Sequence, residues 1–145
     1  MRAILDTCIV IDALQGREPF KEDAQAIVLA AANRVFDGFL TAKSVADIYY
    51  LLHRHTHSDE ETRKLLTKLF SLFDLADAEG IDCRRAVSSP LTDYEDAVMA
   101  ETALRSGMDC IVTRNERDYK LSPVPVYTPS GFLKYLSSSN ENAPG

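Results

Sequence analysis

Near its start the chain reads RAILDT (residues 2–7), an apolar run that ends in an acid. The run predicts a short buried strand, with Asp6 at its carboxyl end. A second stretch, CIVTRNERDY (residues 110–119), repeats the pattern, because the apolar residues Cys110–Val112 are followed at once by crowded polar groups. Sites in parallel α/β sheets form outside the carboxyl ends of the strands. The two stretches therefore predict two buried strands whose ends lie at the same edge of the sheet, where a site can form.

The rest of the chain alternates between short strands and amphipathic helices. Strands are predicted at residues 2–5, 39–42, 75–76, 110–113 and 124–127. Helices are predicted at residues 22–34, 45–52, 59–73, 82–87, 93–105 and 130–136. This alternation predicts an α/β fold, a three-layer α/β/α sandwich with a central, mostly parallel five-stranded sheet.

Capping and turn residues set several boundaries. Ser44 and Thr92 are favoured N-caps for the helices that follow them, and Asp37-Gly38 predicts a turn into the second strand. The length of 145 residues fits one domain, placed at residues 1–136. Residues 137–145 are polar, and we expect a disordered tail there.

Composition points to a cytoplasmic protein. The three cysteines, Cys8, Cys83 and Cys110, are odd in number and lack metal-ligand spacing, which favours reduced thiols. No charged and apolar leader opens the sequence, and no apolar run approaches the length of a membrane span, so we expect no membrane partner.

Charge does not settle the substrate. The net charge of −6 argues against a generally basic nucleic-acid-binding surface. Part of that acidity belongs to the proposed site, where a metal would offset it. Local basic groups remain, since Arg114, Arg117 and Lys120 flank Asp118.

Four acids, Asp6, Asp47, Asp96 and Asp118, lie at predicted strand ends or in predicted helices, where their side chains can enter one cleft. At about 4 Å and an effective dielectric near 20, each pair of like charges costs roughly 4 kcal/mol. A divalent cation removes that cost, and hard oxygen ligands favour Mg²⁺ or Mn²⁺. If the four segments converge, the sequence indicates a metal-dependent phosphodiester enzyme.

Each acid also has an ordinary structural explanation. Asp6 could cap a helix. Asp93 and Asp96 could each be stabilised by the dipole of the helix at whose start they lie. Asp47 could face solvent on an amphipathic helix, and Asp118 could hydrogen-bond within a turn. Asp93 and Asp96 are spaced for one helix face, so Asp93 is a further candidate beside the site.

Two other classes of site are less favoured. The alternating His53, His55 and His57 are too irregular in spacing for a zinc site. A phosphoacceptor receiver domain would also be a parallel α/β fold with acids at strand ends. It needs a lysine after a late strand, and none follows the fifth strand closely.

Taken together, the segments resemble the PIN domain, the nuclease fold of VapC-type toxins and related ribonucleases. The resemblance runs from ILDT (residues 4–7) to TPSGFL (residues 128–133). Between them, ADIYYLL, DYEDA and IVTRNERDY stand in order as the second, third and fourth motifs. Four motifs in order are far more specific than any one of them.

The resemblance implies roles for individual residues. Asp6, Asp96 and Asp118 take the positions of the metal-binding acids, and Thr113 and Asn115 support them. The second-motif position, commonly Glu in VapC toxins, is Asp47 here. Its shorter side chain favours a water-mediated role over direct metal contact.

The resemblance also implies a function: hydrolysis of RNA phosphodiester bonds with one or two Mg²⁺ or Mn²⁺ ions. It suggests a toxin with an antitoxin protein as partner, and a homodimer. The alternative is a PIN-like domain that has lost most of its activity and serves as a binding or regulatory module.

Overall fold

The computed structural model describes residues 1–141. Its strands are β1 (Arg2–Leu5), β2 (Asp37–Thr41), β3 (Asp74–Ala76), β4 (Cys110–Val112) and β5 (Val126–Tyr127). The helices within this range are α1 (Thr7–Gln15), α2 (Lys21–Ala32), α3 (Ala42–Thr56), α4 (Asp59–Leu72), α5 (Gly80–Ala86), α6 (Tyr94–Arg105) and α7 (Pro129–Glu141). A 3-10 turn, Glu116–Tyr119, follows β4.

The five strands form one sheet in the order β3-β2-β1-β4-β5, and every neighbouring pair is parallel. β1 is the central strand, with Ile4 opposite Phe39 of β2 on one side and opposite Ile111 of β4 on the other. The chain thus builds outward from β1 in both directions. The strand order reverses at β1, and its carboxyl end is where Asp6 stands.

Both faces of the sheet are covered, as the side chains of β1 show. Ala3 and Leu5 lie in the larger core cluster, together with residues of α1, α2, α3, α4 and α7. Ile4 lies in a second cluster with Ala100 and Ala103 of α6. Successive strand residues point to opposite faces, so each face has its own helix layer. The predicted α/β sandwich with a parallel five-stranded sheet is confirmed.

Two helices begin differently from the prediction. Thr41, not Ser44, caps α3, and its hydroxyl accepts a hydrogen bond from the Ser44 amide at 3.1 Å. Asp93, not Thr92, caps α6. In both places several cap-forming residues stand close together in the sequence. The one that fits is decided by where the preceding backbone leaves the strand or loop.

Two further differences concern Gly38 and the last helix. Gly38 lies inside β2 rather than in a turn, and a Cβ there would stand 2.6 Å from a ring carbon of Phe73. Close packing therefore explains that glycine. α7, expected to end at Leu136, continues to Glu141, so residues 137–141 are helical rather than a disordered tail. Residues 142–145 lie outside the described residues. Within residues 1–141 no helix is both long and apolar enough to cross a membrane.

Candidate active site

A cleft of about 210 Å³ opens at the carboxyl edge of the sheet, beside the central strand. Asp6, which follows β1, and Thr41, which ends β2, both line it. The first turns of α3 and α6 form further walls. Among the described residues, the charged groups that line the cleft are the ammonium of Lys43 and the carboxylates of Asp6, Asp47, Glu95 and Asp96. The cleft is therefore strongly acidic.

The side chain of Asp6 is held by a hydrogen bond from Thr113 and does not cap its own helix. It occupies the N-cap position of α1, yet its side chain makes no capping hydrogen bond. The Thr113 hydroxyl instead donates to Asp6 Oδ2 at 2.7 Å. The backbone amide of Asp6 donates to the Val112 carbonyl at 2.9 Å, which ties the two strand ends together. The helix-cap explanation does not account for this carboxylate.

Asp96 stands in the first turn of α6, partly buried, and lines the same cleft. Burial raises its pKa to about 6, although a hydrogen bond from Tyr119 acts in the opposite direction. Like charges nearby add to the rise, and they come from Asp93, Asp6 and Asp118. Among the salt bridges of residues 1–141, none involves Asp96, so no described cation pairs with this carboxylate.

Tyr119 is a residue that the sequence analysis missed. It is buried, and its hydroxyl donates to Asp96 Oδ1 at 2.9 Å. Burial raises the pKa of Tyr119, and the charges of Asp6 and Asp96 raise it further, so the phenol stays a donor. The signal was present, since Tyr119 follows Asp118 in the fourth motif, but a lone aromatic residue there is equally typical of a core.

Asp47 lines the cleft from α3 and is also half exposed to solvent. Its side chain is 50% exposed, and Lys43 one turn earlier places its ammonium 3.3 Å from Asp47 Oδ2. The same ammonium lies 3.1 Å from Glu95 Oε2 across the cleft. Asp6, Asp47 and Asp96 thus line one cleft, together with Lys43 and Glu95, which the sequence analysis did not single out.

The fourth motif contributes mainly through its backbone and through Thr113. The Asn115 amide donates to Thr113 Oγ1 at 3.0 Å, which fixes the hydroxyl that holds Asp6. The side chain of Asp118 is exposed and lines a separate shallow pocket with Thr92, Arg117 and Lys120. Its charge nevertheless acts on Asp96. Asp118 is therefore near the cleft but not part of its wall.

Asp93 has a clear local role. Its side chain accepts a hydrogen bond from the Asp96 amide at 3.0 Å, which caps α6. The same bond fixes the start of the helix that carries Asp96. Asp93 therefore stands beside the site as a structural support.

A buried ion pair lies behind the fourth motif and was also missed. Arg114 Nη2 donates to Asp12 Oδ1 of α1 at 3.4 Å, and Arg114 Nε stands 2.8 Å from Asp12 Oδ2. The Arg114 guanidinium also lies over the ring of Phe20, 3.9 Å from its centroid. Burial raises the pKa of Asp12, and the charge of Arg114 opposes that rise. The pair anchors the loop that carries Thr113.

Among the described residues, no three His, Cys, Asp or Glu side chains stand close enough together to hold a metal ion as a group. Mg²⁺ usually keeps several waters and takes only one or two protein carboxylates. Asp6 and Asp96 supply two such carboxylates in one cleft, and burial together with nearby like charges raises the pKa of Asp96. The donor set fits a hard divalent cation.

Comparison with known proteins gives a consistent picture. The sequence profile of the PIN domain matches residues 2–117. No curated protein sequence matches the chain.

Among solved structures, a toxin–antitoxin complex from Klebsiella pneumoniae is similar, with a TM-score of 0.65 and 23% identity over 88% of this chain and 97% of that one. VapBC2 from Rickettsia felis, bound to a DNA fragment from its promoter, has a TM-score of 0.65 and 16% identity over 88% and 98%. VapC20 from Mycobacterium tuberculosis, a toxin that cleaves the sarcin–ricin loop, has a TM-score of 0.58 and 11% identity over 75% and 86%. At these identities the likeness shows the fold.

Proposed function

The chain belongs to the PIN domain family, and from this premise we propose that it is a ribonuclease that depends on Mg²⁺ or Mn²⁺. The observation that supports this most directly is the pair Asp6 and Asp96 in one cleft, with the pKa of Asp96 raised to about 6. Such a cleft costs free energy unless a cation enters it. A hard divalent cation bound beside a phosphodiester suits hydrolysis of RNA.

The hydrogen bonds to Asp6 and Asp96 would orient the two carboxylates as metal ligands. Thr113 holds Oδ2 of Asp6, and Tyr119 holds Oδ1 of Asp96. Each bond fixes one oxygen and leaves the other for a cation, as neighbouring donors do for ligands in metal sites. When bound, the cation would supply an activated water and stabilise the charge that develops on the phosphate.

We assign the remaining candidates supporting roles. Asp118 would complete the acidic set when the cation is bound, since its charge already acts on Asp96. Asn115 would act through Thr113, and Asp93 through the start of α6. Asp47 would act through water, because it is short and already paired with Lys43.

We further propose that the protein is the toxin of a toxin–antitoxin pair, acting in the cytoplasm as a homodimer. Solved structures of similar fold include toxin–antitoxin complexes, which supports an antitoxin partner. A gene for a small DNA-binding protein next to this one would support the pairing. Co-expression followed by co-purification of the two proteins would test it.

A binding module with little activity is the second candidate. The observation that favours it is Asp47, whose carboxylate is engaged by Lys43 rather than turned freely to the cleft. Such a module would bind RNA without cutting it.

Cleavage of single-stranded RNA by the purified protein separates the two candidates. We expect cleavage in Mn²⁺ or Mg²⁺ and none in EDTA. Asp6→Asn and Asp96→Asn should each reduce the rate by more than about 100-fold, since even residues that only orient metal ligands cost about 10- to 100-fold. Asp74→Asn, an acid at the start of β3 and so at the other end of the sheet, is the matched control. Cleavage that survives in both cleft variants would refute the proposed site.

A further inference from the structure

Lys43 is the one basic residue among the described residues that line the cleft. It lies in the first turn of α3, where the helix dipole disfavours a cation. Its ammonium joins two walls of the cleft, because it contacts Asp47 of α3 and Glu95 of α6. A cation in this position needs an explanation beyond the helix itself.

Stability does not supply that explanation. The side chains of Lys43, Asp47 and Glu95 are 56%, 50% and 72% exposed. Ion pairs this exposed add little to folding, because solvent screens them and holding the side chains costs entropy. Lys64 and Glu60 on α4 form an equally ordinary exposed pair, at 3.5 Å, away from the cleft. Lys43 differs from Lys64 in its surroundings, because it lines the cleft and contacts two carboxylates rather than one.

The surroundings matter because an RNA phosphate carries a negative charge into an acidic cleft. Asp6 and Asp96 stand without a cationic partner among the described salt bridges, whereas Asp47 and Glu95 share Lys43. The cleft is thus divided into an inner pair of acids and an outer pair that holds an ammonium. An ammonium has three N–H donors, and two carboxylate contacts leave one for a further acceptor.

We propose that Lys43 binds a phosphate oxygen of the RNA at the edge of the cleft, and that Asp47 and Glu95 are the counter-ions with which the phosphate competes for its ammonium. The substrate class rests on the proposed function. Asp47 and Glu95 then serve as counter-ions of the lysine, which leaves the metal to Asp6 and Asp96. The arrangement gives the phosphate a cationic contact that does not depend on the metal.

The first test measures binding, so that it needs no catalysis. Fluorescence anisotropy of a labelled short single-stranded RNA is followed in EDTA, with salt varied between about 50 and 200 mM. Lys43→Met should weaken binding by about 10- to 100-fold, the range for losing a hydrogen bond to a charged group. The slope of log affinity against log salt should fall by about 0.7, the value for one phosphate contact on a single strand. Lys43→Arg should restore most of the affinity.

Glu95→Gln gives the sharpest contrast, because the two roles of Lys43 predict opposite signs. If Lys43 binds phosphate, removing the Glu95 charge frees the ammonium and makes the cleft less acidic, so RNA binds several-fold more tightly. If Lys43 only bridges α3 and α6, Glu95→Gln and Lys43→Met break the same bridge and change binding in the same direction. Lys64→Met removes an exposed lysine outside the cleft and should leave RNA binding unchanged.

Cleavage in Mn²⁺ adds a second measurement, in which Lys43→Met should raise KM more than it lowers kcat. Equal affinity of Lys43→Met and wild type, or no binding of RNA by wild type, would overturn the assignment of Lys43. If the wild type binds RNA, Lys43→Met lowers the salt slope by about 0.7 and the wild type never cleaves the RNA, the proposed ribonuclease is overturned and Lys43 remains a phosphate contact. The melting temperature of each variant checks that it is folded.

Discussion

Asp82 and Asp96 both lie in the first turn of a helix, yet the protein treats their charges differently. Asp82 is fully buried in α5, where Arg105 Nε donates to it at 2.9 Å and the Glu79 amide at 2.8 Å. Burial alone raises the pKa of Asp82, but these donors and the charge of Arg105 outweigh it and hold the pKa below its usual value. For Asp96 burial prevails, and the pKa rises to about 6.

The difference separates a structural carboxylate from one kept for a ligand. Around Asp82 the chain supplies its own cation, so the region is complete in the folded protein. Around Asp96 it supplies a phenol, which orients the carboxylate without neutralising it. Arg105 occupies, beside Asp82, the role that a divalent ion would take beside Asp96. This contrast gives predictions of decreasing size.

The largest expected effect is on Asp82. Asp82→Asn removes one member of a buried ion pair, and we expect a loss of about 3 kcal/mol in the free energy of unfolding. Urea denaturation measures it. The control is Asp77→Asn, which should change stability by less than about 0.5 kcal/mol. Asp77 is an exposed acid between β3 and α5, and its backbone carbonyl accepts a hydrogen bond from Arg105. If Asp82→Asn is as stable as wild type, Asp82 is not the structural carboxylate that the contrast with Asp96 requires.

The next effect is stabilisation by metal. Mg²⁺ or Mn²⁺ that binds only the native cleft should raise stability, by about 2.7 kcal/mol at a concentration of 100 times Kd. Thermal melting with and without metal measures it. Asp6→Asn and Asp96→Asn should lose most of the rise, whereas Asp74→Asn should keep it. An equal rise in every variant would place the metal elsewhere.

A smaller effect follows from the raised pKa of Asp96 when no metal is present. Between about pH 4, where Asp titrates in the unfolded chain, and about pH 6, the native state keeps a proton that the unfolded state has lost. Stability contributed by this group therefore falls as pH rises through that window and stays flat above it. Allowing for solvent screening, we expect a fall of about 1–2 kcal/mol.

Melting in EDTA at several pH values measures this fall. Asp96→Asn should lack it and should be more stable than wild type at pH 7, because the variant has no charge that is buried and repelled. A wild-type protein that gains stability from pH 4 to 6 by no less than the variant would contradict the raised pKa of Asp96.

The sequence was enough to predict the fold. The apolar runs at 2–5 and 110–112 identify two buried strands, because buried parallel strands are nearly all apolar. Asp6 follows the first run directly, so its place at the carboxyl edge needed no structure. The motifs then added Asp47 and Asp96, which do line one cleft.

What the sequence could not give is which distant side chains meet. Thr113 and Asp6 are 107 positions apart, and Arg105 and Asp82 are 23 apart. A single sequence carries no signal for such pairs, so Asp82 and Asp96 look alike in it. The prediction of the helix cap at Ser44 was wrong for a related reason. Thr41 and Ser44 are chemically equivalent candidates until the end of the strand is known.

The smallest expected effect concerns Asp47, which shares one property with Asp96 and one with Asp82. It lines the acidic cleft, as Asp96 does, but it has a cationic partner in Lys43, as Asp82 has in Arg105. If it acts through water, Asp47→Asn should lower cleavage by less than about 10-fold, because an amide can still orient a water and Glu95 still holds Lys43.

Asp47→Glu should retain or improve cleavage, since one added methylene restores the longer reach that the resemblance to VapC toxins implies at this position. A misplacement of about 1 Å can cost 100-fold at a reacting centre, so a direct ligand would not tolerate either change so well. Cleavage rates of both variants across a Mn²⁺ titration decide between the roles. If Asp47→Asn abolishes cleavage as fully as Asp96→Asn, then Asp47 binds the metal itself, and the lysine is a partner that it gives up when the metal arrives.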